Sequence, residues 1–337
     1  MTLTAPSGAP GRRDPGALAA SAGRGRRKRL VRPARTGGSQ QRLGPVYLAI
    51  APFFVLFGVF VLVPVVFSIW LSFQKYSVLG GIGASEFVGL RNYEFLAQDA
   101  TFRRAIVNSL LIWVLGTFPM LAMAIVIAAM INSVTRLKSF YRLAYFLPNV
   151  TSIVAVTLFF GALFSEQFGL INQVLEGLGL SGVPWLTDPW AMKAVVAILI
   201  TWQWCGYNAI LYLAGMQAIP GDVYEAAALD GAGPVRQFWS ITLPLLRPVI
   251  LFTTVISTIT TLQTFTEPQV LFGSNTAVNP NSGGPGQGAL TMVLYFYQQA
   301  FNNNDYGYGA AIAMGVFAVV LVFVVINFRL ARTGDDH

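Results

Sequence analysis

The sequence predicts an all-α membrane protein with six transmembrane helices, and its composition and charge pattern support this fold class. Of its 337 residues, 55% are hydrophobic and only 11% are charged, and the mean hydropathy is +0.60. A soluble domain carries about 25% charged residues. The charges are clustered, which leaves six uncharged windows that can each supply the approximately 20 residues of a membrane-crossing helix. The windows are Leu43–Gln74, Ala105–Thr135, Leu143–Ser165, Ala194–Gly221, Pro248–Thr266 and Tyr306–Phe328.

These windows define one six-span domain over residues 43–332. The predicted spans lie at about 46–74, 104–132, 140–165, 192–215, 247–267 and 307–329. The first window follows 42 other residues and is longer than the roughly 7–15 apolar residues of a signal peptide. We therefore interpret it as a first span and not as a cleaved leader.

A further uncharged segment, Pro268–Asn304, does not have the character of a span. Its first part is rich in glycine, proline and asparagine, and its apolar part, Ala289–Phe301, is too short to cross the bilayer. Such a length favours a re-entrant or interfacial helix. We therefore predict an extracytoplasmic Gly/Pro/Asn-rich loop over residues 268–305.

Residues 1–42 form a basic tail that holds ten of the 22 lysine and arginine residues. One interpretation is an arm that binds anionic lipid or nucleic acid. We favour a disordered cytoplasmic tail that helps to fix topology and binds no nucleic acid. With the tail inside, 17 of the 22 cations fall in inner segments. Since inner loops of membrane proteins are enriched in lysine and arginine, both termini are predicted to be cytoplasmic.

Several chemistries are excluded by what the sequence lacks. The only histidine is the last residue, His337, and the only cysteine is Cys205, so we expect no histidine metal site, no catalytic dyad and no intrachain disulfide. No lysine stands in the phosphate-binding pattern G-x-x-x-x-G-K-[ST]. The windows contain no acid or base of the kind that a proton-driven transporter uses. The chain is thus predicted not to be an enzyme, and its free energy must come from another polypeptide.

The segment between the fourth and fifth spans, residues 216–246, carries a short predicted helix. Asp222 can cap its first turn, Glu225 can complete a capping box, and Gly231 can end it. Burying the charges of this segment in lipid would cost on the order of 10 kcal/mol, at about 2.5–3.5 kcal/mol each. The helix must therefore lie at the membrane surface. It is either a solvated loop helix or a docking helix that pushes on the spans beside it.

The motif in this segment resembles the EAA loop of bacterial ABC-importer permease subunits. It consists of Glu225-Ala226-Ala227, three residues, Gly231, nine residues, and Ile241-Thr242-Leu243-Pro244. The stretches "VGLRNYEFLAQDATFRRAIVNS" and "SGGPGQGALTMVLYFYQQAFNNNDYGYGAA" are also similar to permeases of the carbohydrate-uptake class, of the maltose and glycerol-phosphate types. The resemblance covers about residues 45–332, and the inserted "NTAVNPN" before Gly283 departs from it.

The resemblance implies a type I ABC-importer permease fold whose coupling helix inserts into a groove of a cytoplasmic ATPase. The residues that correspond to the coupling motif are Glu225, Ala226, Ala227, Asp230, Gly231, Ile241, Leu243 and Pro244. The implied partners are a second homologous permease chain, two ATPase subunits, an extracytoplasmic solute-binding protein and membrane lipid. This chain would bind no cofactor, since ATP and Mg²⁺ would reside on the ATPase. The implied location is the bacterial plasma membrane.

A path for the cargo is predicted along the third, fourth and fifth spans. The fifth span carries a stripe of threonines, and the fourth combines aromatic and amide side chains that suit the apolar faces and hydroxyls of a sugar. Helix–helix packing is the alternative interpretation of the threonines. From these patterns and the resemblance together, the candidate path residues are Asn149, Ile153, Trp202, Gly206, Asn208, Ala209, Thr260, Thr261, Gln263 and Thr264.

The sequence thus favours the permease subunit of an ATP-driven, binding-protein-dependent importer, with a sugar or sugar derivative as its cargo. Two alternatives lie outside this class. A stand-alone secondary transporter or channel would carry solute without a partner. A membrane-embedded enzyme is disfavoured by the lack of catalytic groups in the spans. Within the class, an amino-acid or peptide permease remains an alternative.

Overall fold

The computed structural model describes residues 43–76, 85–133, 137–273 and 283–332. The predicted basic tail, residues 1–42, and the inserted segment 275–281 therefore lie outside the described residues. Contacts divide the chain after Phe54 into two units, and the described part of the first unit is the beginning of the first helix.

The described residues are mostly helical, which confirms the predicted all-α class. The helices are α1 (Leu43–Phe57), α2 (Val63–Leu71), α3 (Arg91–Gln98), α4 (Ala100–Ser133), α5 (Lys138–Val150), α6 (Ile153–Leu163), α7 (Leu170–Gly177), α8 (Pro189–Gln217), α9 (Gly221–Leu229), α10 (Pro234–Gln237), α11 (Leu243–Leu245), α12 (Arg247–Leu262), α13 (Thr266–Phe272), α14 (Met292–Tyr297) and α15 (Tyr306–Arg332). Short π-helical segments occupy Gly58–Leu62, Phe238–Thr242 and Gln298–Asn302, and a 3₁₀ turn occupies Pro285–Gln287. Two short antiparallel strands, β1 (Gln74–Lys75) and β2 (Glu86–Phe87), pair Gln74 with Phe87.

Five helical segments of the described chain are long and apolar enough to cross a membrane. A bent helix pair, α5 and α6, makes a sixth if the pair forms one span. The five segments are Ile50–Leu71, Ala100–Ser133, Pro189–Gln217, Arg247–Phe272 and Tyr306–Arg329. Their lengths exceed the approximately 20 residues that the hydrocarbon core requires. The fold therefore agrees with the multi-pass architecture that the sequence predicts.

The third predicted span, residues 140–165, corresponds to a bent pair of helices and not to one straight helix. It breaks after Val150, and α5 and α6 meet at 91°. Thr151 and Ser152 are both extended, with ψ values of 152° and 121°. The Thr151 hydroxyl donates to the Pro148 carbonyl oxygen at 2.6 Å. Pro148 lies in the last turn of α5, where a proline and a side chain that bonds the backbone favour a helix end.

Helices α4 and α8 form the centre of the bundle and pack against each other along most of their length. Small residues permit this close approach: a Cβ added to Gly116 of α4 would lie 3.5 Å from the Cα of Ala197 in α8. Ala124 and Ala209 are fully buried in the same contact. Such small residues are typical of membrane helix interfaces, where van der Waals contact and not hydrophobic exclusion drives association.

Within the predicted loop 268–305, the apolar part for which the sequence favours a short helix, Ala289–Phe301, contains α14 and most of a π-helical segment. In the described part of the loop, the end of α13, the 3₁₀ turn and α14 are packed structure, with Leu290, Met292 and Leu294 fully buried against α4 and α15. Asn108 of α4 donates to the Gln287 carbonyl oxygen at 2.8 Å and to that of Leu290 at 3.1 Å. These bonds satisfy backbone groups that a turn leaves free, and they fix the segment to α4.

Asp99 joins three helices at the same end of the bundle. Its carboxylate accepts hydrogen bonds from the Tyr295 hydroxyl at 2.5 Å and from the Tyr308 hydroxyl at 2.6 Å. Partial burial by itself would raise the pKa of the Asp99 carboxyl, but these two bonds and the backbone N–H groups of Thr101 and Phe102 outweigh it and lower that pKa. Burial and the Asp99 carboxylate raise the pKa of the Tyr295 hydroxyl.

Candidate coupling and translocation sites

Helix α9 lies between the fourth and fifth membrane-crossing segments, as the sequence predicts, but it begins differently. The predicted capping box of Asp222 and Glu225 is wrong, because the N-cap residue is Pro220 and no side chain caps it. Asp222 is instead inside the first turn. There its negative charge still interacts favourably with the positive end of the helix dipole.

The other end of α9 is closed by backbone geometry that requires the predicted glycine. Gly231 adopts a φ of +78°, its N–H donates to the Ala228 carbonyl oxygen at 3.0 Å, and the Ala232 N–H donates to that of Ala227 at 2.9 Å. This pair of bonds is a Schellman motif, in which the residue after the C-cap is left-handed. An L-residue with a Cβ is strained there. Gly231 thus ends α9 and turns the chain toward α10.

One side of α9 is held by the chain and the other is free to contact another protein. The Tyr224 hydroxyl and that of Thr242 are 2.9 Å apart, which joins α9 to the π-helical segment before α11. Of the predicted coupling residues, Glu225, Ala226, Asp230, Gly231 and Pro244 are exposed, and Ala227, Ile241 and Leu243 are partly buried. At the end of α9, Leu229 is 90% exposed.

One concave site in the membrane-crossing part is a narrow cleft between α4, α8 and α12. Three predicted path residues, Asn208, Thr260 and Thr261, line it. Trp204, Tyr207 and Ser257 also line it, so aromatic faces and hydroxyl groups face the same space. The Asn208 amide nitrogen donates to the Trp204 carbonyl oxygen at 3.0 Å, which leaves the amide oxygen able to accept from a ligand.

Another concave site is an apolar groove between α4, α5 and α8. Trp202 and Gly206, which the sequence assigns to the same path as Asn208, line this groove instead. The two sets lie on different sides of α8, because successive residues of a helix are about 100° apart. The candidate path residues therefore do not form one site. Asn149 and Ile153 are partly buried on either side of the α5–α6 break, and Ala209 is fully buried.

Most of the threonine stripe of α12 bonds to neighbouring helices. Thr253 and the Tyr212 hydroxyl are 2.6 Å apart, Trp113 donates to Thr258 at 3.1 Å, and Thr117 donates to Thr261 at 3.2 Å. These bonds agree with the packing alternative for those positions. At the end of the stripe, the Thr264 hydroxyl donates to the buried Glu267 carboxylate at 2.7 Å, whereas Thr260 and Gln263 are exposed.

Sequence reasoning alone did not identify the partners of these threonines. Thr117, Trp113 and Tyr212 are polar side chains inside apolar helices, which is the one signal that could have marked them. In the part of the chain that the structure describes, no group of three histidine, cysteine or acidic residues could hold a metal ion. What the arrangement offers is binding and movement, through a polar cleft and an exposed surface helix.

Comparisons with known proteins agree with this architecture. The family described as the binding-protein-dependent transport system inner membrane component matches residues 109–332. The lactose transport system permease protein LacF of Rhizobium radiobacter is 37% identical over 291 residues, which cover 85% of this chain and 93% of that protein. The arabinooligosaccharides transport system permease protein AraP of Bacillus subtilis is 35% identical, covering 85% of this chain and 88% of that protein.

A solved structure has the same fold. One chain of a bacterial alginate ABC transporter, crystallised with a periplasmic protein carrying an alginate pentasaccharide, superposes with a TM-score of 0.74 at 25% identity. The match covers 88% of this chain and 96% of that chain. The shared fold, the exposed helix between the fourth and fifth membrane-crossing segments and the extent of these matches together show that the chain belongs to the family of inner membrane components of binding-protein-dependent transport systems.

Proposed function

We propose that this chain is the permease subunit of an ATP-driven importer for a sugar or sugar derivative. The observation that carries the proposal is α9: a short helix between two membrane-crossing segments, ended by a Schellman turn, with its outer surface exposed. A partner that moves this helix would move α8 and α12, because a short turn joins α8 to α9 and the helical segments α10, Phe238–Thr242 and α11 join α9 to α12. Rigid-body movement of such elements is an established way to switch a protein between states.

The coupling role is proposed for the exposed side of α9 and for the segment that follows it. Glu225, Ala226, Asp230 and Gly231 would contact a cytoplasmic ATPase, and Ile241, Leu243 and Pro244 would transmit the movement to α12. Ala227 is partly buried and would hold the helix to the chain. ATP and Mg²⁺ would be bound by two copies of the ATPase and not by this chain.

The cargo proposal rests on the relatives and on the cleft lined by Asn208, Thr260 and Thr261. The relatives are named for the transport of lactose and arabinooligosaccharides. Sugars present apolar C–H faces and hydroxyl groups, and the cleft combines aromatic rings with amide and hydroxyl groups. We propose that the cargo passes the cleft side of α8, with a second, homologous permease chain closing the path.

The proposed assembly lies in a bacterial inner membrane with both termini of this chain in the cytoplasm. The inner position of the termini is supported by the distribution of lysine and arginine. An extracytoplasmic solute-binding protein would deliver the cargo to the end of the bundle that holds Asp99 and α14. These partners follow from the family and from its solved relative, which contains a periplasmic protein.

The test is uptake of labelled sugars into proteoliposomes. The chain alone should carry no sugar, whereas the full assembly with ATP and the loaded binding protein should. Sugar flux through the chain alone would instead support a stand-alone transporter or channel. If the binding protein bound amino acids and no sugars, the proposed substrate class would be wrong.

The coupling role has its own variant pair. Glu225→Lys on α9 should leave the chain inserted and abolish uptake, while ATP hydrolysis by the assembly continues. Glu176→Lys, at an exposed position of α7, is the control and should transport normally. Equal uptake by both variants would remove the proposed role of Glu225.

A further inference from the structure

The apolar groove between α4, α5 and α8 is separate from the proposed cargo cleft, which lies on another side of α8. It encloses about 730 Å³. That volume lies within the range of about 300–1,000 Å³ that is typical of ligand pockets. Its walls are the side chains of Leu115, Pro119 and Met123 from α4, Tyr145 from α5, and Ile198 and Trp202 from α8. A polar cargo would find few hydrogen-bonding partners among these side chains, but a hydrocarbon chain would fit them.

The groove opens on a side of α8 away from the cleft. On α8 the groove is lined at positions 198, 201, 202, 205 and 206, and the cleft at positions 200, 204, 207, 208 and 211. At about 100° per residue, most positions of the two sets point in different directions, so the two sites lie on different sides of α8. Trp202 is 43% exposed and Met123 is 50% exposed in the groove wall. Exposed apolar side chains on a membrane-crossing helix contact lipid unless another protein covers them.

Positive charge lies at the end of the groove nearest α9. Lys138 and Arg142 precede Tyr145 on α5 at steps of four and three residues, which places all three on one side of the helix. The sequence of α5 contains no acidic residue. Arg142 donates from Nη2 to the amide oxygen of Gln217, the last residue of α8 before α9, at 3.2 Å. The cations are therefore close to the membrane surface at that end.

Arg142 also has an unused donor. Its Nε is buried and has no hydrogen-bond partner among the residues that the structure describes. A buried guanidinium N–H without an acceptor is unfavourable, and phosphate oxygens are acceptors that arginine binds well. An apolar groove and a cationic end match the two parts of a phospholipid, the acyl chain and the phosphate.

We propose that this groove binds an anionic phospholipid of the phosphatidylglycerol class. One acyl chain would lie between α4, α5 and α8. The phosphate would accept hydrogen bonds from Arg142 and interact with Lys138. Basic pockets between transmembrane helices bind anionic lipid head groups by the same chemistry. The lipid would hold α5 against α8 beside the α5–α6 break. The proposal requires the chain to span a membrane, but it does not depend on the cargo or on the ATPase.

Ala144→Cys provides a test, since position 144 lines the groove and is exposed, whereas the native Cys205 is buried. The full-length variant in detergent is treated with methyl methanethiosulfonate, and modification is followed by intact mass. Phosphatidylglycerol at ten times its dissociation constant should slow the reaction about tenfold, because the occupied fraction is protected. Phosphatidylcholine should protect much less. Equal rates with and without phosphatidylglycerol would overturn the proposal.

Variants test the two parts of the site separately, with the phosphatidylglycerol retained per chain measured by native mass spectrometry. Ala144→Trp fills the groove and should abolish retention, whereas Leu158→Trp, at a position of α6 that is 60% exposed outside the groove, should not. Arg142→Gln should reduce retention of phosphatidylglycerol and leave phosphatidylcholine unchanged. Equal retention by the two tryptophan variants would contradict the site. A photo-crosslinker at position 144 that trapped a second protein chain instead of lipid would also contradict the site.

Discussion

Gly206 is the position where a single methyl group should be most disruptive, because α8 there touches the backbone of α5. A Cβ added to Gly206 would lie 1.7 Å from the Tyr145 carbonyl oxygen and 2.5 Å from its carbonyl carbon. Carbon and carbonyl oxygen atoms approach each other to about 3.3 Å at closest. The two helices would therefore have to separate by about 1.6 Å. A gap of 0.5–1 Å already removes about a quarter to a half of a van der Waals contact.

The expected size of the effect follows from two opposing contributions. Overpacking costs about 1–3 kcal/mol, and replacing a helical glycine by alanine gains about 0.5–1 kcal/mol. Because the clash is with backbone atoms, the upper end of the overpacking cost applies, and the net result for Gly206→Ala is a loss of about 2 kcal/mol. One kcal/mol shifts Tm by about 2–4 °C in a protein of 150–250 residues. We therefore expect the purified variant to unfold several degrees below the unsubstituted chain in a thermal scan.

Gly116→Ala is the matched control, since it is also a glycine within a membrane-crossing helix. Its added Cβ would lie 3.5–3.7 Å from Ala197, which is ordinary contact. This variant should unfold at or slightly above the Tm of the unsubstituted chain. If Gly206→Ala were as stable as Gly116→Ala, α5 and α8 would not be packed as described, and the account of Gly206 as a packing residue would be refuted.

Two further predictions concern α9 and the Asp99 cluster. Gly231→Val should insert normally but lose most ATP-driven uptake, because a left-handed residue with a Cβ costs about 1–2 kcal/mol. Gly231→Asn should keep nearly normal uptake, since asparagine tolerates that conformation. Equal uptake by the two would contradict the role of the turn. Asp99→Asn should lower Tm at pH 7, where the carboxylate accepts from Tyr295 and Tyr308. Because folding lowers the pKa of the Asp99 carboxyl, its stabilisation is present above about pH 4 and lost as pH falls further. The difference in Tm between the two proteins should therefore disappear in acid. A Tm difference that does not depend on pH would contradict this.

The features that the sequence predicted well depend on local chemistry. The long uncharged windows correspond to helices because the bilayer requires about 20 apolar residues, whatever their neighbours are. The end of α9 was predictable because Gly231 is the residue that a left-handed turn requires. The start of α9 was not predictable, since Pro220 and Asp222 were both possible N-cap residues. In the structure Pro220 is the N-cap, and α9 begins one residue before Asp222.

The features that could not be predicted depend on which helix covers which surface. Periodicity places Trp202 and Asn208 on α8, but only the packing of α4, α5 and α12 shows that they line different concave sites. The break at Thr151 was hidden inside an apolar window, because membrane helices tolerate proline where neighbours satisfy the free backbone groups. Thr261 resembles a path residue in the sequence, yet it bonds to Thr117.

The central claim is that a nucleotide-hydrolysing partner moves this chain through α9. Leu229 is suited to a direct test, because it is 90% exposed at the end of that helix and the only native cysteine, Cys205, is buried. In membranes that contain the full assembly, Leu229→Cys and a short bifunctional maleimide should trap the ATPase subunit, and ATP should change the yield of the cross-linked pair. A thiol at this position that is modified freely but never cross-linked to an ATPase would contradict the account.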